Sequence, residues 1–266
     1  MKKLYLDYNI ILEMKKNEEF KRKILKYKKY FRFFYSPAHV EEIFKAKKTE
    51  YKEEIPELLN LLNEMSDTWE LLPPPGEWLG GYVTKREKIG IIETQENSEE
   101  CYKRIEDWDT RNIIEDLSKT YLNHKDVEKI EEISNFLPER VFKNTEVKQK
   151  LKKFSEKEGV SVYKCEKKYD KIKFDYNKLE LVIELLFHFL NEIGYSTNRT
   201  EIQALSGIHD NTHCCYATKC DLFITTDNRL SKKSKAIYSF LGIKTKVHHI
   251  HYKKIDEIFK ILDAEK

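Results

Sequence analysis

Apolar positions in this 266-residue chain come in two spacings, and their alternation at both ends is the strongest pattern in it. Leu4 to Leu6 is a short apolar run that predicts a buried strand, and Phe31 to Tyr35 predicts a second. The stretch between them, 10–30, lacks Pro and Gly and predicts one helix. Ser36-Pro37 then carries a helix start signal, an N-cap hydroxyl followed by proline in the first turn, with Val40, Ile43 and Phe44 at helical spacing. Ile55 to Met65 follows as an amphipathic helix with Leu58, Leu59, Leu61, Leu62 and Met65 on its apolar face.

Alternation resumes near the C-terminus. A helix is predicted over 202–216, a strand over 222–225, a helix over 231–241 closed by Gly242, a strand over 245–250 and a last helix over 255–262. Both ends therefore read as the alternating units of an α/β fold with a parallel sheet. Between them, Pro73-Pro74-Pro75-Gly76 is the sharpest break. Beyond it the chain is charged and mostly helical, with Val160 to Tyr163 the only strand candidate. Leu179 to Ile193 is apolar enough to predict a buried helix ending at Gly194. This divides the chain into 1–66 and 196–266, two parts of one α/β core, and a mostly helical insertion, 67–195.

Charge changes the picture locally rather than globally. The net charge is +3, which selects no partner, but 15–32 carries nine Lys/Arg against two Glu, and 143–178 carries twelve Lys against six acids. The segment 87–116 is the reverse, with ten acids against four bases. The basic segments suit a phosphate backbone, or else are solvated helix faces. No apolar run is long enough for a transmembrane helix, no signal peptide precedes the first strand, and the five cysteines show no paired framework. A cytoplasmic protein with no membrane partner is expected.

The candidate chemistry is acidic. In open parallel sheets ligands bind beyond the carboxyl ends of the strands, and Asp7 and Asp227 both fall at such ends. Glu42 and Asp210 lie on predicted helices. Clustered carboxylates with no accompanying side-chain nucleophile suit Mg²⁺ or Mn²⁺, which take oxygen ligands and support phosphodiester hydrolysis. His213 lies one helical turn after Asp210 and borders such a site. A zinc centre built from His209, His213, Cys214, Cys215 and Cys220 is the competing reading, but the helical spacing separates the two His from Cys215. His248, His249 and His251 lie on or just after the last strand and are expected to be structural or exposed. Tyr102, Trp108, Tyr163 and Tyr169 lie among charges, where they either stack on bases or pack the insertion.

These residues also carry a family resemblance. Leu6-Asp7-Tyr8-Asn9-Ile10-Ile11-Leu12 resembles the D-x-N-I/V-x-L opening of PIN-domain ribonucleases. Ser36 to Ile43 resembles that family's second acidic segment, in a register that selects Glu42 over Glu41. Asp210-x-x-His213-x-x-x-Ala217 and Thr225-Thr226-Asp227 resemble its third and fourth. The resemblance implies a three-layer α/β/α sandwich and a Mg²⁺- or Mn²⁺-dependent endoribonuclease. Asp7, Glu42, Asp210 and Asp227 would be the metal-binding catalytic acids, with Asn9 and Thr226 orienting carboxylates or water. It implies RNA as partner and admits an inhibitory protein partner, since the family includes toxins. A DNA or flap-type nuclease, a defence nuclease and a catalytically dead nucleic-acid-binding scaffold remain as alternatives. The 168 positions between Glu42 and Asp210 depart from the compact family pattern and leave the role of 67–195 open.

Overall fold

The computed structural model describes residues 1–74, 89–107, 129–197 and 210–266. Its centre is a four-stranded parallel sheet of β1 (Lys2–Leu6), β2 (Phe31–Phe34), β5 (Leu222–Thr225) and β6 (Lys246–His249), in the order β2-β1-β5-β6. β1 connects outward to β2 on one side, and β5 connects outward to β6 on the other. The connections therefore diverge between β1 and β5, where the carboxyl ends of a parallel sheet open a crevice.

Twelve α-helical segments are described. Up to the insertion they are α1 (Tyr8–Lys16), α2 (Glu18–Leu25), α3 (Pro37–Lys45) and α4 (Ile55–Ser66). Within it lie α5 (Ser98–Asp107), α6 (Pro138–Val141), α7 (Thr145–Lys157), α8 (Tyr169–Ile172) and α9 (Tyr176–Glu192). After it come α10, described over 210–217, α11 (Asn228–Leu241) and α12 (Glu257–Ala264). The part of the predicted 202–216 helix before Asp210 lies outside the described residues.

The one helix expected over 10–30 is two. Asn17 takes an extended backbone (φ −130°, ψ 96°) and its side chain accepts from Phe20 N, so it caps a new helix where the first stops. The turn at Lys26–Lys29 then leads into β2.

Strand residues of alternate parity enter two cores, as a period of two requires. Leu4, Leu6, Phe31, Phe33, Leu222 and Ile224 pack with apolar residues of α1, α2, α3, α4 and α12. Tyr5, Phe34, Phe223 and Val247 pack with α7, α9, α10 and α11.

The insertion differs from expectation in two ways. It contains an antiparallel pair, β3 (Trp69–Leu72) with β4 (Ile92–Gln95), which sequence periodicity did not predict, whereas Val160 to Tyr163 is no strand and runs into a 3-10 turn at Val162–Cys165. β3 docks on the end of β2, with Tyr35 N donating to Trp69 O (3.1 Å) and Leu71 N to Tyr35 O (2.9 Å). Nor is the insertion separate from the α/β core. Residues 129–195 supply much of the core on the Tyr5–Phe223 face, and Lys167 N donates to Phe240 O of α11 (2.8 Å).

Candidate metal centre

Asp7 follows β1 and opens α1, yet its side chain caps nothing in that helix. The carboxylate instead accepts from Thr225 Oγ1 (2.7 Å) and from Asn9 Nδ2 (3.3 Å). Continuing the β1–β5 register, which pairs Leu6 with Ile224, sets Asp7 beside Thr225. Asp7 is buried, and that burial raises its carboxyl above the usual range; His213 opposes the shift, Glu42 adds to it, and the Thr225 and Asn9 bonds oppose it.

Glu42 comes from α3, which Ser36 starts in a capping box whose partner is His39. Ser36 N donates to His39 Nδ1 (3.1 Å), so the proton of that ring lies on Nε2, which donates to Leu6 O (2.7 Å). Burial pushes His39 down to about 3, so it is a neutral strut tying α3 to the end of β1. One turn further along α3, Glu42 Oε2 lies 3.0 Å from His213 Nε2. The other ring nitrogen of His213 meets Tyr5 OH (2.8 Å), and Tyr5 OH meets Ser36 Oγ (2.6 Å). A buried chain Ser36–Tyr5–His213–Glu42 thus crosses from β1 to α3 and α10.

One ligand-capable atom from each of Asp7, Glu42 and His213 lies within 4.8 Å of the other two. Asp210, one turn before His213 on α10, is half-buried. Desolvation pushes its carboxyl well above the carboxylate range; Asp227 adds to this, Lys233 opposes it, and Asp7 and Glu42 add smaller repulsions. Asp227 follows β5 and caps α11, its Oδ1 accepting from Arg229 N (2.6 Å) and Leu230 N (3.0 Å), while Oδ2 lies 3.7 Å from the Arg229 guanidinium. The four acids chosen from sequence therefore act on one another, although they come from four separate chain segments.

The structure revises two residue roles and adds a third residue. Thr225, not Thr226, holds Asp7; Thr226 is half-buried and its backbone bonds the His249 ring. His213 is not peripheral but belongs to the group of ligand-capable atoms. Lys233 was missed. It is almost fully buried, donates to Asn191 Oδ1 of α9 (2.6 Å), lies over the Phe187 ring and interacts with Asp210 and Asp227. Burial pushes it down to about 8, against the pull of Asp210. Its signal was in the sequence: Leu230, Lys233, Ser234, Ile237 and Leu241 keep helical spacing, so a lysine sits in an apolar stripe.

The zinc alternative loses its thiols. Cys214, Cys215 and Cys220 are buried in the core, and burial pushes the Cys214 thiol up to about 12. His209 and Trp108 lie outside the described residues. Tyr102 packs on Phe44, and Tyr163 and Tyr169 pack against the core. Of the terminal histidines, His248 and His249 are half-buried and His251 is exposed. No helix among the described residues is long and apolar enough to cross a membrane. No family model, curated protein or solved structure matches this chain.

Proposed function

We propose that this chain is a metal-dependent endoribonuclease of the PIN-like type, its fold a three-layer α/β/α sandwich, its acids Asp7, Glu42, Asp210 and Asp227 forming a Mg²⁺ or Mn²⁺ site with His213. The observation that carries this reading is the convergence of Asp7, Glu42 and His213 to within 4.8 Å at the crevice between β1 and β5. Two carboxylates and an imidazole are a donor set for a hard or borderline divalent ion, and the imidazole favours Mn²⁺ over Mg²⁺. Such an ion, when bound, activates water and stabilises charge developing on phosphorus.

The surrounding residues suit this chemistry. Thr225 and Asn9 fix the orientation of the Asp7 carboxylate. His213 Nε2 faces Glu42 Oε2 at 3.0 Å; with Tyr5 OH accepting from Nδ1–H and donating to Ser36 Oγ, the Nε2 lone pair would be offered to an ion bound between them. Lys233 offsets part of the repulsion among them. The hydroxyls of Ser36 and Thr225 are buried and bonded, and the Cys214 thiol stays protonated, so these groups do not attack phosphorus and water is left as the nucleophile.

The test is cleavage of labelled single- and double-stranded RNA and DNA with Mn²⁺, Mg²⁺ or EDTA. We expect Mn²⁺-dependent RNA cleavage, lost on the order of a hundredfold or more in Asp7→Asn and Asp227→Asn, since each removes a metal-binding charge at nearly constant volume. DNA-only cleavage would select the flap-type reading. Full activity in both variants would remove the site assignment, and no cleavage by the wild type would favour a partner-held toxin or a binding role.

A further inference from the structure

A second charged feature lies at the opposite end of the sheet. The turn before β2, α2 and the C-terminal end of the chain line an open pocket of about 420 Å³, a size that suits a small ligand. Its apolar walls are Tyr27, Tyr30 and Phe259, with Tyr27 and Phe259 stacked at 6.2 Å and Tyr30 38% exposed. Its cations include Lys26, Lys29 and Lys266. The register pairs Phe31 with Lys2, at the start of β1, whereas Asp7 follows its end. Five strand steps at about 3.3 Å put the cavity about 17 Å from the acidic cluster.

Half of the lysine charge there is uncompensated. Lys23 pairs with Glu19 (2.8 Å) and Lys266 with Asp263 (2.5 Å), but among the described residues neither Lys26 nor Lys29 has a carboxylate within 4.0 Å. Lys29 Nζ rests on a ring instead, 4.8 Å from the Tyr30 centroid, and Lys266 Nζ, besides its carboxylate partner, is 4.9 Å from the same centroid. Cation–π contacts of this kind are weak when exposed, so an anion can draw the ammonium groups away and free a ring face at the same moment. A ligand that supplies both a phosphate and a flat aromatic group satisfies the cations and the ring together.

We infer that this cavity is a nucleotide-binding site, with phosphate held by Lys26 and Lys29 and the base stacked on Tyr30. It lies apart from the acidic cluster and does not depend on that cluster's activity. The nucleotide is either free or one unit of a single strand, since both present the same chemistry.

The test uses the full chain in EDTA, which separates binding from cleavage, and calorimetric titration with ATP, a short uridine oligonucleotide and tripolyphosphate. The wild type should bind ATP or the oligonucleotide. The double variant Lys26→Glu, Lys29→Glu should weaken this about tenfold or more. Tyr30→Ala should weaken nucleotide binding about fivefold or more while leaving tripolyphosphate binding unchanged. Asp7→Asn should bind as the wild type does, so loss of cleavage and loss of this site are distinguishable. Tighter binding of the oligonucleotide than of ATP identifies a strand-binding site, and the reverse a free-nucleotide site. The three pocket substitutions are at exposed positions and Asp7→Asn is nearly isosteric, and circular dichroism checks the folding of each variant. Absence of nucleotide binding by the wild type, wild-type affinity in both pocket variants, or equal affinity for tripolyphosphate and ATP with no effect of Tyr30→Ala would overturn the inference.

Discussion

Thr225 shows how a single side chain was hidden in the sequence. Side chains alternate along a strand, so Thr225 shares the face of Phe223, and Asp7 shares the face of Tyr5. Only the pairing of β1 with β5 makes Thr225 the neighbour of Asp7, and that pairing joins residues 218 positions apart. Thr225→Val removes the bond to Asp7 and the acceptor of Asp227 N at constant shape. It should cost about 1–3 kcal/mol in urea unfolding. It should also weaken Mn²⁺ binding about 10- to 100-fold in a calorimetric titration, and Thr226→Val should do neither. A second residue-scale prediction concerns Glu70, fully buried on β3 with its Oε1 3.6 Å from the Arg104 guanidinium. Burial, reinforced by Glu96, pushes its carboxyl up to about 8 despite Arg104. The folded state therefore holds the proton more tightly than the unfolded state. The stability this contributes is present below the usual carboxylate range and is lost as pH rises toward 8. Glu70→Gln should flatten that loss, by about 1.4 kcal/mol per pH unit across the window. The difference between wild-type and variant unfolding free energies from pH 4.5 to 8.5 measures it, and a constant difference would refute it.

Among elements, the strands and helices that carry the acids were legible because each begins or ends on local chemistry: a short apolar run, Ser36-Pro37, or Gly242 at φ 82°. β3 and β4 were not, since four-residue strands with charged positions such as Glu70 and Glu93 have no distinctive period. The two aspartates at strand ends also differ as helix starts. Asp7 caps nothing, whereas Asp227 accepts from two backbone amides of α11. Asparagine retains that capping oxygen and alanine does not. Asp227→Asn should therefore unfold within a few tenths of a kcal/mol of the wild type, while Asp227→Ala should be about 1 kcal/mol less stable. At Asp7 a difference between Asn and Ala would report loss of the Thr225 bond rather than of a cap. Thermal denaturation of the four variants separates capping from any effect on cleavage, and equal destabilisation by Asn and Ala at 227 would contradict it.

At the scale of the molecule, the long separation of Glu42 from Asp210 left the role of 67–195 open, and the contacts show part of that segment packed into the core of the sheet. Sequence marked Leu179 to Ile193 as buried, but an apolar stripe carries no address for the surface it will cover. Its partners are the sheet and α11: Leu186 and Phe189 belong to the same core as Tyr5 and Phe223. Asn191 of α9 also holds Lys233 beside the acids, so the insertion positions part of the site. If the core is shared, a cavity made in the insertion must be felt in the sheet. Leu186 is fully buried, and Leu186→Ala should cost about 2–5 kcal/mol. In a cooperative unit that loss lowers hydrogen-exchange protection of the β1 and β5 amides by the same free energy as that of α9. In a separately folding insertion, α9 would lose protection while β1 and β5 kept theirs. Exchange measured segment by segment on the wild type and Leu186→Ala distinguishes the two. We expect the joint loss, because the residues that would have to insulate the sheet from α9 are the ones that connect them.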